Sequence, residues 1–407
     1  MAILLLVIIY IAFIGLGLPD SLLGSAWPVA HMDLSVPVSV AGIVSIVSAS
    51  GTVLSSLFSE RMIKRFGTGL VTAVSVLMTA LALMGMGFVQ HFWVVLLLAV
   101  PLGLGAGTVD AALNNFVALH YKATHMNWLH CFWGVGATAG PIIMSLYLTR
   151  SFWHGAYRTV SITLFVIACI LACSLPLWKR MARHTEEEAH KEIVPRRELM
   201  RRPGAMFACI AFFAYCGAEY AAGLWASTYF VNVKGIAPDI AASWASMFFL
   251  GITAGRLLSG FAALKLSNLA LVRIGEGMIL IGVLILLLPL PNVMLIAGLL
   301  LVGIGCAPIF PSLLDETPRL FGARHSQGMM GLQLAFAYAG GTVMAPLFGW
   351  ISPLVGLEAW PYYLLLIFAV MIFSTERTQR EAIKAGVIGP ASSGGMRTPC
   401  PAKGDEA

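Results

Sequence analysis

The residues most able to do chemistry lie between Pro101 and Pro141, in PLGLGAGTVDAALNNFVALHYKATHMNWLHCFWGVGATAGP. Two apolar stretches joined by a short basic loop make up this segment. The first carries Asp110 with Asn114 and Asn115, and the second carries Asn127, His130 and Trp133 before a glycine-rich end. On a helix, Asp110 and Asn114 (i, i+4) share one face, as do His130 and Trp133 (i, i+3). A carboxylate in a hydrophobic segment costs roughly 2.5–3.5 kcal/mol on insertion scales, so it marks a functional position by default. Acid, amide, imidazole and indole together suit a hydrated cavity that binds a polar solute.

The elements that hold these residues are membrane spans. The chain has 407 residues, of which 59% are hydrophobic and 11% charged, and its mean hydropathy is +0.87. That composition excludes an ordinary soluble globular protein. Twelve apolar runs are each long enough to cross the hydrocarbon core: 2–30, 37–58, 69–89, 93–119, 127–149, 157–178, 204–232, 240–262, 269–290, 292–314, 326–352 and 357–375. The start lacks the basic region of a cleavable signal peptide. The fold class expected is therefore all-α and polytopic, with twelve transmembrane helices.

Charge sets the expected orientation. With a cytoplasmic N-terminus, the inner loops hold Arg61, Lys64, Arg65, Lys122, the eight basic residues of 179–202, Lys265, Arg319 and Arg324; the outer loops hold Arg150, Arg158 and Lys234. This positive-inside bias puts both termini in the cytoplasm, and a bacterial inner membrane is the expected location. The net charge of +6 then orients the protein and implies no nucleic-acid partner. Seven cysteines without paired spacing suggest neither a disulfide framework nor a metal site, and no cofactor is expected.

Internal repetition divides the chain. Gly51, Leu54 and Ser55 recur as Gly255, Leu258 and Ser259; Gly103 and Gly105 as Gly303 and Gly305; Gly136 and Pro141 as Gly341 and Pro346. Asp20 and Gly24 match Glu219 and Gly223. Matches in constant order and at nearly constant offset indicate parallel six-helix halves with a cavity between them. The domains expected are 1–178, a charged cytoplasmic linker at 179–203, 204–375, and a disordered cytoplasmic tail at 376–407.

Further polar groups lie along the spans. Pro19 removes a backbone donor beside Asp20; either the helix ends there and Asp20 is a loop residue, or it continues and Asp20 is an intramembrane acid. Span seven supplies Glu219, Trp225 and Tyr229, and span eleven supplies Gln333. For Trp225 and Tyr229, packing and ligand contact are equally open. Arg256 either snorkels to the headgroups or pairs with Asp315 or Glu316 in an inward gate. Pro308 and Pro311 predict a kink in span ten. The basic turn SERMIKRFGTG keeps only Arg65 and Gly67 of a known transporter motif, and a headgroup-level basic patch accounts for it.

TVDAALNNFV after GLG, MNWLHCFWGVGATAGP, AYCGAEYAAG and APIFPSLLDETPRLFG resemble helices four, five, seven and ten of the fucose permease family of the major facilitator superfamily. The resemblance runs through all twelve spans in order. It implies two pseudo-symmetric six-helix bundles, alternating access and proton-driven uptake of a monosaccharide. It also implies that the acids of helices one and four handle the proton and substrate, and these fall on Asp20 and Asp110. This chain has aspartate in helix four where the family's namesake has glutamate, Asn114-Asn115 for its asparagine–proline pair, and Trp133 in place of a helix-five asparagine.

The expected function is a secondary active transporter of a sugar or similar small polar solute, coupled to protons and acting as a monomer in the lipid bilayer. Asp20 and Asp110 are expected to carry the proton. Asn114, Asn127, His130, Trp133, Glu219, Trp225, Tyr229 and Gln333 are expected to bind the solute, with Arg256 as the gate. The alternative is a proton-driven antiporter exporting drugs, which shares fold and acids. An enzyme or receptor is disfavoured, because no nucleophile–base pair, metal cluster or phosphate loop is visible.

Overall fold

A computed structural model describes residues 2–121, 123–150, 152–182 and 196–388. Among the described residues, twelve helical segments are long and apolar enough to cross a membrane: Ile3–Asp33, Val38–Ser56, Thr68–Met86, Phe92–Asn114, Trp128–Leu148, Trp153–Cys173, Ala205–Asn232, Pro238–Ala262, Asn268–Leu287, Met294–Phe321, Gly328–Val355 and Leu357–Lys384. They are called spans 1 to 12. No strand occurs among the described residues. An even number of spans puts residues 2 and 388 on the same side as the segment between spans 6 and 7, here the linker side.

Two spans are interrupted where proline removes a donor. Span 1 is helical over Ala2–Asp20, turns at Ser21, and resumes over Leu22–Asp33. Asp20 therefore sits at a break inside the span, which corrects the loop reading. Span 10 runs Met294–Cys306, Ile309–Asp315 and Thr317–Phe321, broken beside Pro308 as expected. The final helix, Trp360–Lys384, runs past residue 376. Arg273 of span 9 grips Glu376 through two charge-assisted bonds of 2.7 and 3.0 Å, so 376–384 is ordered helix and not tail. Residues 389–407 lie outside the described set.

Helices surrounded by lipid gain little by hiding apolar surface from one another, so close approach of backbones through small residues holds them. Gly103 of span 4 presses on the Ser48 carbonyl of span 2, and Gly303 of span 10 presses on the Phe248 carbonyl of span 8. Gly136 of span 5 meets the Ile14 carbonyl of span 1, and Gly340 of span 11 meets the Phe213 carbonyl of span 7. By contact, then, the repeat partner of Gly136 is Gly340 and not Gly341. Gly341 instead leaves room for the Tyr220 ring, with a Cβ there only 3.0–3.3 Å from its atoms. Gly67 and Gly322 have φ of +80° and +81°, which glycine alone adopts cheaply, so spans 2 and 3 follow each other without a loop.

Several contacts between the first six and last six spans lie on the side away from the linker. Gly24 of span 1 lies on the Gly223 and Leu224 carbonyls of span 7, Gly42 of span 2 on Pro346 of span 11, and Gly349 against the Ser39 carbonyl. Nearer the linker side, Gly134 of span 5 meets Thr253 of span 8. On that side Arg196–Met200 docks on the last six spans: Leu199 covers Gly328, and His325 Nε2 lies 3.0 Å from the Glu198 carboxylate and 2.8 Å from the Arg202 guanidinium, and can bond to one of them at a time.

If the glycine contacts hold the helices, Gly103→Val should force spans 2 and 4 apart and cost about 1–3 kcal/mol or more by overpacking. The expected readout is a lower melting midpoint in detergent. A midpoint equal to wild type would show that this contact is not tight in the membrane.

Candidate functional site

The break at Ser21 turns Asp20 towards span 5. The Trp133 indole N–H donates to Asp20 Oδ2 at 2.8 Å. Span 5 comes this close because Gly17 packs directly on the Trp133 carbonyl and Gly140 on Leu18 and Ser21. Asp20 is exposed although it lies in the middle of span 1, so it borders an open cleft.

Asp110 stands ten residues from the linker-side end of its helix at His120, about 15 Å at 1.5 Å per residue. Asn114, one turn on, donates its side-chain amide to Asp110 Oδ1 at 2.8 Å and to the Asp110 carbonyl at 2.9 Å. Tyr338 of span 11 reaches across from the other half and donates to Asp110 Oδ2 at 3.4 Å. Asp110 and Asp20 lie within electrostatic reach of each other. Among the described residues neither forms an ion pair. Among the described residues each carboxylate therefore has neutral side-chain donors and no cation.

Spans 7 and 8 complete the cleft. Tyr220 is 52% exposed and lies within electrostatic reach of Asp20, Glu219 and Tyr338. Glu219 is half-buried beside it. Arg256 of span 8 places its guanidinium 5.3 Å from the centre of the Trp133 ring and donates to the His130 carbonyl at 3.3 Å. The His130 ring stands edge-on to Phe13, 6.0 Å between centres.

Several expected site residues are not in this cleft. Trp225 is 1% exposed; its indole donates to the Ala345 carbonyl at 2.8 Å and its ring meets Phe348 edge-on. Tyr229 is buried against Trp360, 5.0 Å between ring centres. Gln333 is buried and accepts from Thr317 at 2.9 Å. These three face neighbouring helices, because the helix turn that carries Glu219 and Tyr220 into the cleft carries Trp225 and Tyr229 away from it. Arg256 does not pair with Asp315 or Glu316. Asp315 accepts from Asn268 at 2.7 Å, and Glu316 holds Arg319 at 3.1 Å. The side chains of Asn115 and Asn127 lie outside the described set.

The sequence patterns single out neither Tyr220, although it adjoins Glu219, nor Tyr338 as a site residue. A polar aromatic next to an intramembrane acid was the available signal. A separate apolar groove of about 570 Å³ lies between spans 1 and 6, lined by residues such as Leu4, Ile8, Phe165 and Ile170. None of the polar groups above borders it.

A family model described as Major Facilitator Superfamily matches residues 9–315. The chain is similar to Bypass of stop codon protein 6 of Saccharomyces cerevisiae, with 24% identity over 90% of this chain and 80% of that protein. It is also similar to the Glucose/mannose transporter GlcP of Bacillus subtilis, with 24% identity over 74% of this chain and 76% of that protein. A shorter match, 27% identical, covers 33% of this chain and 23% of Sodium-dependent glucose transporter 1 of Danio rerio. Among solved structures, a bacterial homolog to the human lysosomal transporter Spinster, inward-facing and unoccupied, superimposes with a TM-score of 0.73 at 12% identity. That match covers 92% of this chain and 97% of the other, and at this identity the likeness shows the fold alone.

The packing role of Trp225 has a direct test. Trp225→Phe keeps an aromatic ring but leaves the buried Ala345 carbonyl without its donor, a loss of about 1–3 kcal/mol. The melting midpoint should fall while the half-saturation concentration for the transported solute stays at the wild-type value. A changed half-saturation with unchanged stability would return Trp225 to the site.

Proposed function

The chain belongs to the Major Facilitator Superfamily of transporters, and from that premise we propose that it takes up a sugar or similar small polar solute together with protons, by alternating access. One observation carries this reading: two carboxylates share one mid-membrane cleft, and neither has a cationic partner among the described residues. A carboxylate so placed is least costly when hydrated or neutral. Protonation removes the charge, and deprotonation on the other side of the membrane returns it. Asp20 and Asp110 are the proton carriers in this reading, with Asp110 the principal one.

Solute recognition follows from the same cleft. Sugars call for hydrogen-bonding groups beside flat aromatic faces. Asn114, Glu219, Tyr220 and Tyr338 offer both, drawn from spans 4, 7 and 11. A solute touching both halves can draw them together, which links its binding to closure. The Glucose/mannose transporter among the relatives makes glucose the first probe, and fucose is the second on account of the motifs in spans 4, 5, 7 and 10. The basic residues of the linker side orient it to the cytoplasm with both termini. The six-helix units 1–178 and 204–384 act as the two moving bodies of a monomer.

The test uses purified full-length protein in liposomes with labelled glucose, fucose and mannose. An inward proton gradient should drive accumulation. Asp110→Asn should abolish accumulation yet retain exchange, since asparagine keeps the shape and an accepting oxygen but cannot titrate. Accumulation by this variant at the wild-type level would show that the proton rides elsewhere. Accumulation driven by a sodium gradient alone would replace the ion, and proton-driven efflux of a drug without sugar uptake would favour export.

Tyr220→Ala separates binding from coupling. It should raise the half-saturation concentration roughly two- to tenfold, corresponding to the 0.5–1.5 kcal/mol of an aromatic contact, with proton dependence retained. An unchanged half-saturation would remove Tyr220 from the site.

A further inference from the structure

Trp133 has two partners on different spans. Its indole N–H is bonded to Asp20 Oδ2 at 2.8 Å. Its ring faces the Arg256 guanidinium at 5.3 Å, and Arg256 is bonded in turn to the carbonyl of His130, one turn before Trp133. Among the described residues Arg256 forms no ion pair. Asp20 and Trp133 belong to the first six spans, and glycine contacts clamp spans 1 and 5 together around them. Gly17 lies on the Trp133 carbonyl, and Gly136 on that of Ile14. Arg256 belongs to the last six. The indole thus lies between a carboxylate that can gain a proton and a cation on the opposite half.

We propose that Trp133 and Arg256 transmit the charge state of Asp20 across the interface between spans 5 and 8, with Trp133 acting as a positioning residue for coupling. The proposal rests on the proton-coupled reading above and goes beyond it by naming the link between proton and motion. A hydrogen bond to a charged acceptor is about twice as strong as one between neutral groups. While Asp20 is an anion, its bond to the N–H pushes electron density into the ring and strengthens attraction of the ring face for the guanidinium. Protonation weakens the bond, withdraws that density and removes a negative charge from the neighbourhood of Arg256. The span 5–span 8 contact then loosens where Gly134 meets Thr253, and the halves are freer to move.

Other charged and titratable groups surround this link. Asp110 and Tyr220 lie within electrostatic reach of Asp20. Around Arg256 the corresponding groups are His130, Cys131, Tyr215, Cys216, Cys306 and Glu219, the last acting on the same tyrosine and cysteines. None of these is joined to both Trp133 and Asp20, so removing the indole N–H or the guanidinium cuts this link and leaves the others.

The experiment reads motion directly and requires no identified solute. Spin labels at Phe66→Cys and Leu264→Cys, exposed at the linker-side ends of the helices of spans 2 and 8, report the separation of the halves by pulsed electron resonance. The full chain is used in nanodiscs, in a cysteine-free background, from about pH 5.5 to pH 8, a range that brackets a carboxylate in an altered environment. The wild-type distance distribution should shift across this range. Asp20→Asn, neutral throughout, should hold the acidic-side distribution at every pH. Trp133→Phe keeps the ring without the donor and should lose the shift, as should Arg256→Gln; Arg256→Lys keeps the charge and should retain it. Trp133→Phe and Arg256→Gln cut the link from opposite ends, so either one, if monodisperse and helical, decides. If wild type shifts and Asp20→Asn does not, but Trp133→Phe or Arg256→Gln keeps the full shift, the link is overturned and proton coupling stands. An Asp20→Asn protein that still shifts also overturns the link, because the sensing group is then another residue. A wild type that does not shift overturns both readings.

Discussion

The bond from the Trp133 indole to the Asp20 carboxylate is the interaction around which the centre of this protein is arranged. An acid within a bundle as thick as a bilayer must be hydrated, bonded or neutral. Here the bond forms because span 1 breaks at Ser21 and because Gly17 lets span 5 approach to van der Waals contact. Any side chain at Gly17 would displace the Trp133 backbone and with it the donor. The proline, the glycine and the tryptophan therefore serve one purpose, which is to present a carboxylate to a cleft with its charge only partly compensated.

The same economy governs the packing of the whole bundle. Lipid offers helices no strong apolar incentive to associate, so close backbone contact and buried donors take over. Glycines make those contacts in equivalent places in both halves, Gly103 with Gly303 and Gly136 with Gly340. Buried aromatics then use their polar edges to tie one helix to another's carbonyls, as Trp225 does to Ala345, Trp360 to Ala221 and Tyr215 to Cys306. Such side chains resemble ligand contacts in a sequence and are structural in the fold.

The halves are alike in packing and unlike in chemistry. The first six spans hold Asp20, Asp110 and Asn114; the last six answer with Tyr220, Tyr338, Glu219 and Arg256. Span 1 is broken beside its acid, whereas its counterpart, Ala205–Asn232, is one continuous helix. Symmetry accounts for a cleft between two halves packed alike. Asymmetry puts the unpaired acids on one wall and the aromatic hydroxyls and the cation on the other.

The order and number of spans, the repeat, the break in span 10 and the shared helix face of Asp110 and Asn114 were legible in the sequence alone. Each rests on a local cause: the length of an apolar run, a proline, an i, i+4 pair, or the cost of an acid in hydrocarbon. Which aromatics face the cleft was not legible. Trp225 and Tyr220 lie five residues apart, well over a full turn, and periodicity alone cannot say which neighbour covers which face. The partner of Arg256 was likewise invisible: Asp315 and Glu316 were the acids to expect, yet bonds to Asn268 and Arg319 occupy them, and the guanidinium meets an indole more than a hundred residues away in sequence. Contacts between distant spans depend on how closely the backbones approach, and that distance is set by glycines on both partners at once, so only the tertiary structure decides it.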